Sequence, residues 1–267
     1  EAFANKHGVN CLYEDYKTML EREKPDIVSV CTSAKPRSEI VTTIASMDVG
    51  VKAIWAEKPI AMSLEEADKM VSVCNEAEIV LAVNCARRWD AWYNTARELS
   101  DSGAIGQVMQ VTVFQVGNLS HNSHMINLAR YLAGGTGNVE WVFGDLGDDE
   151  IAKTDDDVGG ISYLKFENGV RALVRQDSWP YAEAEIIGSE GRIRILNDTQ
   201  DIELWLKTEK QDKNYSPLTK HYFPRRQKIE SATVCAVRDI IQCIETGESP
   251  KSSGEDGMHD LEVAIAV

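Results

Sequence analysis

Two residues could do proton chemistry by type and placement. Lys58 sits in Glu57-Lys58-Pro59, just past the apolar run VKAIWA, so a strand end and a proline fix its turn. A lysine held against apolar surface loses solvation, which lowers its pKa toward working pH and suits it to proton transfer. A solvated lysine in a tight turn would have the same local sequence. His124 opens a helical pattern after His121, Asn122 and Ser123. A helix N-terminus biases an imidazole toward its neutral form, fit for acid/base work, although Ser and Asn there also make an ordinary capping region. Asp145, Asp148, Asp149, Glu150, Asp155, Asp156 and Asp157 crowd one stretch but lack calcium-loop spacing, so a solvated loop is expected and no metal site. No GxSxG, HExxH, Walker loop or zinc-type Cys/His spacing occurs.

The elements that must position these residues follow from periodicity. Residues 1–7 read as a helix stopped by Gly8, and 13–23 as a short amphipathic helix. Residues 26–32 (DIVSVCT) form a β-branched run expected to be buried on both faces. Pro36 is expected to open a helix that Gly50 closes, with a strand at 51–56. Ser63-x-x-Glu66 is a capping-box pattern, and its helix is expected to bury Leu64, Ala67, Met70, Val71 and Cys74 before a third strand at 79–84. This alternation implies parallel βαβ units, whose ligands bind at the carboxyl ends of the strands. Those ends are Thr32-Ser33, Glu57-Lys58-Pro59 and Asn84 through Arg88.

Beyond residue 86 the pattern changes. A helix at 92–100, a strand at 108–116 and a helix at 123–132 precede strands at 160–166, 170–177, 184–187 and 192–196. Asn168-Gly169 marks a hairpin between two of them. Helices at 232–245 and 258–267 close the chain. The expected fold is α/β plus α+β: a partial Rossmann-like parallel sheet over 1–86, then an α+β domain over 87–267 with a mostly antiparallel, open sheet and flanking helices. An open sheet face is commonly buried against a second copy, so a homodimer or homotetramer through that sheet is expected.

Composition sets outer limits. The 267 residues carry a formal charge of −15, which disfavours nucleic acid and anionic membrane surfaces as partners. The six cysteines form no CxxC or regular framework, the pattern of free thiols in a reducing cytoplasm. No apolar run reaches the ~18–20 residues of a membrane helix.

Taken in order, EKPIAMSLEEADKMV, ARRWDAWYNTARELSDSGAIGQV, SHMINLARYLAGG, FENGVRALV and IIGSEGRIRI resemble the Gfo/Idh/MocA oxidoreductases over the whole chain. The resemblance implies NAD or NADP as cofactor and a sugar, inositol or nucleotide sugar as substrate, with hydride passing between nicotinamide and a secondary hydroxyl. Lys58 and His124 match the family's acid/base pair. Thr32, Ser33, Glu57, Asn84 and Arg88 fall at cofactor-binding positions, with Lys58 also beside the cofactor. Ser120, His121, Asn122, Trp179 and Tyr181 join Lys58 and His124 as candidate substrate contacts. Ser120 stands where the family often has an acidic residue, and Arg37 where a histidine is common. No GxGxxG occurs, so the chain reads as a piece of a longer enzyme that alone would bind dinucleotide poorly and be inactive. A non-catalytic sugar or dinucleotide sensor, or a scaffold of the same fold, is the alternative.

Overall fold

The computed structural model describes residues 2–119, 123–135, 137–147, 158–177, 181–208, 216–222 and 230–267. Two short helices, α1 (Ala2–His7) and α2 (Tyr16–Glu23), lead into a three-stranded parallel sheet. Its strands are β1 (Ile27–Val30), β2 (Ala53–Ala56) and β3 (Val80–Val83), in the order β1-β2-β3. The crossover helices are α3 (Ala34–Ser46) and α4 (Leu64–Glu76).

One face of this sheet buries Val28, Val30, Ile54, Ala56, Leu81 and Val83 under α3 and α4. On the other face, Ala53 and Ala82 pack against Ile240 of α7 (Ala232–Thr246). The edge strand β1 is buried on one face only, because Ser29 points to solvent. That corrects the expectation of burial on both faces.

Four local expectations also change. α3 starts at Ala34 with Ser33 as its N-cap, so Pro36 is the third helical residue, where its missing N–H is harmless. The helix stops at Ser46, ahead of Gly50. The Ser63 hydroxyl does accept from the Glu66 amide, but the Glu66 carboxylate accepts from Met62 rather than Ser63, and Leu64 is exposed.

After a 3-10 turn (Ala86–Trp89), α5 (Ala91–Asp101) begins on an Asp90 cap that accepts from the amides of Trp92 and Tyr93. The second sheet has eight strands in the order β11-β10-β9-β8-β4-β7-β6-β5. These are β4 (Val108–Phe114), β5 (Val139–Leu146), β6 (Gly160–Phe166), β7 (Arg171–Gln176), β8 (Glu183–Gly188), β9 (Gly191–Leu196), β10 (Asp201–Lys207) and β11 (Leu218–His221). All neighbours run antiparallel except β4 and β7. One face buries Val111, Val113, Leu164, Ala172, Val174 and Ile186 against α6 (His124–Ala133) and α5. The other face carries no helix among the described residues. β5, β10 and β11 were not expected from the sequence.

The last helix, α8 (Gly254–Ala266), starts four residues earlier than the sequence pattern indicates, on a Ser253/Asp256 capping box. It packs against both sheets' helices, touching α4 and β3 on one side and α6 and β5 on the other. Ser253 also bridges Ala82 at the outer edge of β3. Among the described residues, no helix is long and apolar enough to cross a membrane.

A Cβ at position 188 would collide with the Ile105 carbonyl oxygen, so β8 and the turn after α5 require glycine there. Gly188→Ala is expected to cost about 1–3 kcal/mol by overpacking, read as a lower urea midpoint at constant m-value. An unchanged midpoint would contradict this close approach.

Candidate active site

Three strand ends and one helix start converge on the site. Beyond β1, Thr32 and Ser33 lead into α3; beyond β2, Glu57 and Lys58 precede a cis Lys58–Pro59 bond. Arg37, buried in the first turn of α3, donates to the carbonyls of both Thr32 and Pro59 and so ties the first two strand ends together. Thr32, Ser33, Glu57, Lys58, Pro59 and Met62 line a cavity of about 420 Å³. The Thr32 hydroxyl oxygen is buried there without a partner among the described residues.

The third strand end joins through Asn84. Its side-chain amide donates to Glu57 Oε1 at 2.7 Å, while Glu57 Oε2 accepts from the Lys58 amide at 3.3 Å. Glu57 is therefore held from both sides and fixes the backbone that carries Lys58. Burial is the main cause lowering the Lys58 pKa from its ordinary 10.5; Glu57 opposes it, and Arg87 and Arg37 add to it.

His124 is the first residue of α6, whose buried face of Met125, Ile126, Leu128, Ala129, Leu132 and Ala133 seats the helix on the second sheet. Burial, with the charges of Arg87 and Lys58 close by, holds its imidazole at about 3, well below 6.5. Nδ1 is buried without a partner among the described residues. The ring is thus neutral at working pH and lies close enough to Arg87 and Lys58 for their charges to act on it.

Arg87 is the member the sequence analysis missed. Its guanidinium donates to Gln115 Oε1 at 2.6 Å from the second sheet, and its charge acts on both Lys58 and His124. Neighbouring residues in a 3-10 turn point about 120° apart, so one arginine of the Arg87-Arg88 pair faces the cleft and the other faces inward. The inward one is Arg88, which the family resemblance puts among the cofactor-binding positions. It is buried, donating to Asn127 Oδ1, Asp256 Oδ2 and the Lys251 carbonyl, each at 2.9 Å. Tyr181 is exposed and does not line the cavity. Ser120, His121, Asn122 and Trp179 lie outside the described residues, as do the acidic residues from Asp148 to Asp157.

Comparison with known proteins bears on both halves of the chain. The oxidoreductase family, NAD-binding Rossmann fold (GFO_IDH_MocA), matches residues 1–85, and that family's C-terminal alpha/beta domain matches 97–267. The chain is 28% identical to the myo-inositol 2-dehydrogenase of Thermotoga maritima, over 98% of this chain and 82% of the relative. It is 24% identical to the scyllo-inositol 2-dehydrogenase (NAD(+)) of Bacillus subtilis, over 100% of this chain and 81% of that one. A levoglucosan dehydrogenase solved with NADH and levoglucosan shares the fold, with a TM-score of 0.80, 20% identity and coverage of 99% of this chain and 82% of that one.

The depressed His124 pKa makes a stability prediction. An unfolded chain takes up the histidine proton near pH 6.5, and the folded chain only near 3. The unfolded state therefore binds more protons between these values, so this contribution is fully present above 6.5 and lost as pH falls toward 3. His124→Gln should make the dependence of unfolding free energy on pH shallower in that window. An unchanged slope would show that the imidazole is not buried in neutral form.

Proposed function

The chain belongs to the Gfo/Idh/MocA oxidoreductase family, and from that premise we propose that it transfers hydride between NAD(P) and a secondary hydroxyl of a sugar or polyol. The observation that carries this reading is that a partly desolvated Lys58, which lines a strand-end cavity, lies within electrostatic reach of a neutral His124. The residues fit the nicotinamide half of a dinucleotide: Thr32 offers a buried hydroxyl with no partner among the described residues, and Ser33 and Glu57 line the same cavity. A nicotinamide bound there would supply the hydride acceptor or donor.

The protein's own part is to hold the substrate hydroxyl and move its proton. Lys58 in its neutral form is the base, because burial lowers its pKa. With its own pKa near 3, His124 orients the hydroxyl as a neutral hydrogen-bonding group and does not store the proton. Arg87 adds positive potential, which favours an alkoxide-like oxygen as the proton leaves.

The remaining substrate contacts are assigned to Ser120, His121, Asn122, Trp179 and Tyr181 by resemblance alone. The six cysteines are free thiols, three of them buried, which supports a reducing, cytoplasmic setting.

The same reading includes self-association through the bare face of the second sheet. At the β5 end this face carries Phe143, 68% exposed, with the Trp141 and Tyr163 rings in tilted contact, 5.8 Å between centroids and 46° between planes. A twofold pairing of such faces would bury those aromatic rings. Sedimentation of the natural protein should give a dimer or tetramer, and Phe143→Asp should lower its mass. A wild-type monomer would overturn this part.

The catalytic reading is tested in the natural protein with NAD+ or NADP+ and a panel of myo-inositol, scyllo-inositol and D-apiose. Lys58→Ala should lower kcat by about 10²–10⁴. The wild-type oxidation rate should rise with pH through a midpoint below the ordinary lysine value of 10.5. A Lys58→Ala protein with full turnover would refute the assignment. A wild type that binds these ligands without turnover would favour the sensor instead.

A further inference from the structure

We infer that Asp260 is a positioning residue that sets His124 against Lys58, although it lies on α8 outside the cavity. This rests on the assignment of Lys58 and His124 as the acid/base pair. Asp260 is 1% exposed and saturated with donors. Its Oδ1 accepts from Arg130 Nη1 at 2.5 Å and its Oδ2 from Asn127 Nδ2 at 2.6 Å; the Cys85 thiol approaches Oδ2 at 3.9 Å.

These partners belong to the two segments that carry the site. Asn127 and Arg130 lie on α6, about one and two turns beyond His124. Cys85 directly follows Asn84, the residue that holds Glu57 beneath Lys58. Asn127 is used from both sides, because its oxygen also accepts from Arg88 Nε at 2.9 Å. An unbroken series of bonds and short chain steps thus runs from Lys58 through Glu57, Asn84, Cys85, Asp260 and Asn127 to His124.

Packing alone does not require this arrangement. The apolar stripe of α6 holds the helix on the sheet, yet it would tolerate a small slide or rotation. Directional bonds from a buried carboxylate fix register where apolar contacts do not. A reacting group displaced by about 1 Å can lose about 100-fold in rate.

The experiment compares Asp260→Asn, Asn127→Ala and the double exchange Asn127→Asp/Asp260→Asn in the natural protein, using NAD+ with myo-inositol for kinetics. The His124 ring resonances are followed at neutral pH by NMR. Asn127→Ala leaves the Arg130–Asp260 pair intact, so it reports even if Asp260→Asn does not fold. Each single variant should shift the His124 resonances and lower kcat about tenfold or more, with the KM for NAD+ little changed. The double exchange returns a carboxylate to the same cluster and should restore both readouts. Folded single variants with unmoved His124 resonances would overturn the proposal, as would shifted resonances with unchanged kcat or an exchange that rescues neither readout. The NMR readout needs no turnover. A protein inactive on myo-inositol would therefore count against the functional reading while the His124 shifts still decide the role of Asp260.

Discussion

Two guanidinium groups buried at the junction of the two sheets constrain everything around them. Arg88 and Arg130 are 7% and 2% exposed, and charges so far from water persist only when paired and hydrogen-bonded. α8 supplies both counter-charges: Asp256 bonds Arg88 at 2.9 Å, and Asp260 bonds Arg130 at 2.5 Å. Removing one partner of such a pair costs about 3–5 kcal/mol, because the other charge stays buried. The end of the chain is therefore committed to a seat between α4 and β3 on one side and α6 on the other. Chain order and spatial order part company here, since residues far along the sequence complete the surroundings of the first sheet.

The site inherits its electrostatics from that seating. The first sheet presents Lys58 at a strand end, and the second domain brings up His124 and Gln115. Arg87 spans the gap by donating to Gln115 while its twin Arg88 turns inward. Burial of Lys58 and His124 themselves, reinforced by the nearby charge of Arg87, lowers the pKa of both, and the neutral form of each is the one able to receive a proton or hydrogen bond. Glu57 works against this on Lys58, but its carboxylate is shared with Asn84 and the Lys58 amide. The balance leaves the Lys58 pKa below its ordinary value.

Much of this was legible in the sequence, for reasons that can be named. Strong periodicity marked β6, whose alternating burial matches its span from Gly160 to Phe166, and Gly134 marked the end of α6. Proline and an apolar run located Lys58. β5 escaped because it is an edge strand with both Trp141 and Phe143 exposed, so no buried alternation exists to be read. The identity of the cleft-facing arginine escaped because Arg87 and Arg88 are adjacent and chemically equal; only the 3-10 turn and Asn127 distinguish them. Asp260 carried no local signal at all. Its partners lie 130 and 133 positions away, at distances only the fold can supply.

The central claim is that the strand ends of the first sheet and the start of α6 form one binding site. The most direct measurement is amide and side-chain shift mapping of the natural protein titrated with NADH. The expected perturbations gather at Thr32, Glu57, Lys58, Asn84 and Arg87 and extend across to His124. Saturable shifts confined to the separate groove formed by Val71, Asn75, Leu81, Pro250 and Glu255 would contradict the account, because that groove lies apart from every residue assigned to the chemistry.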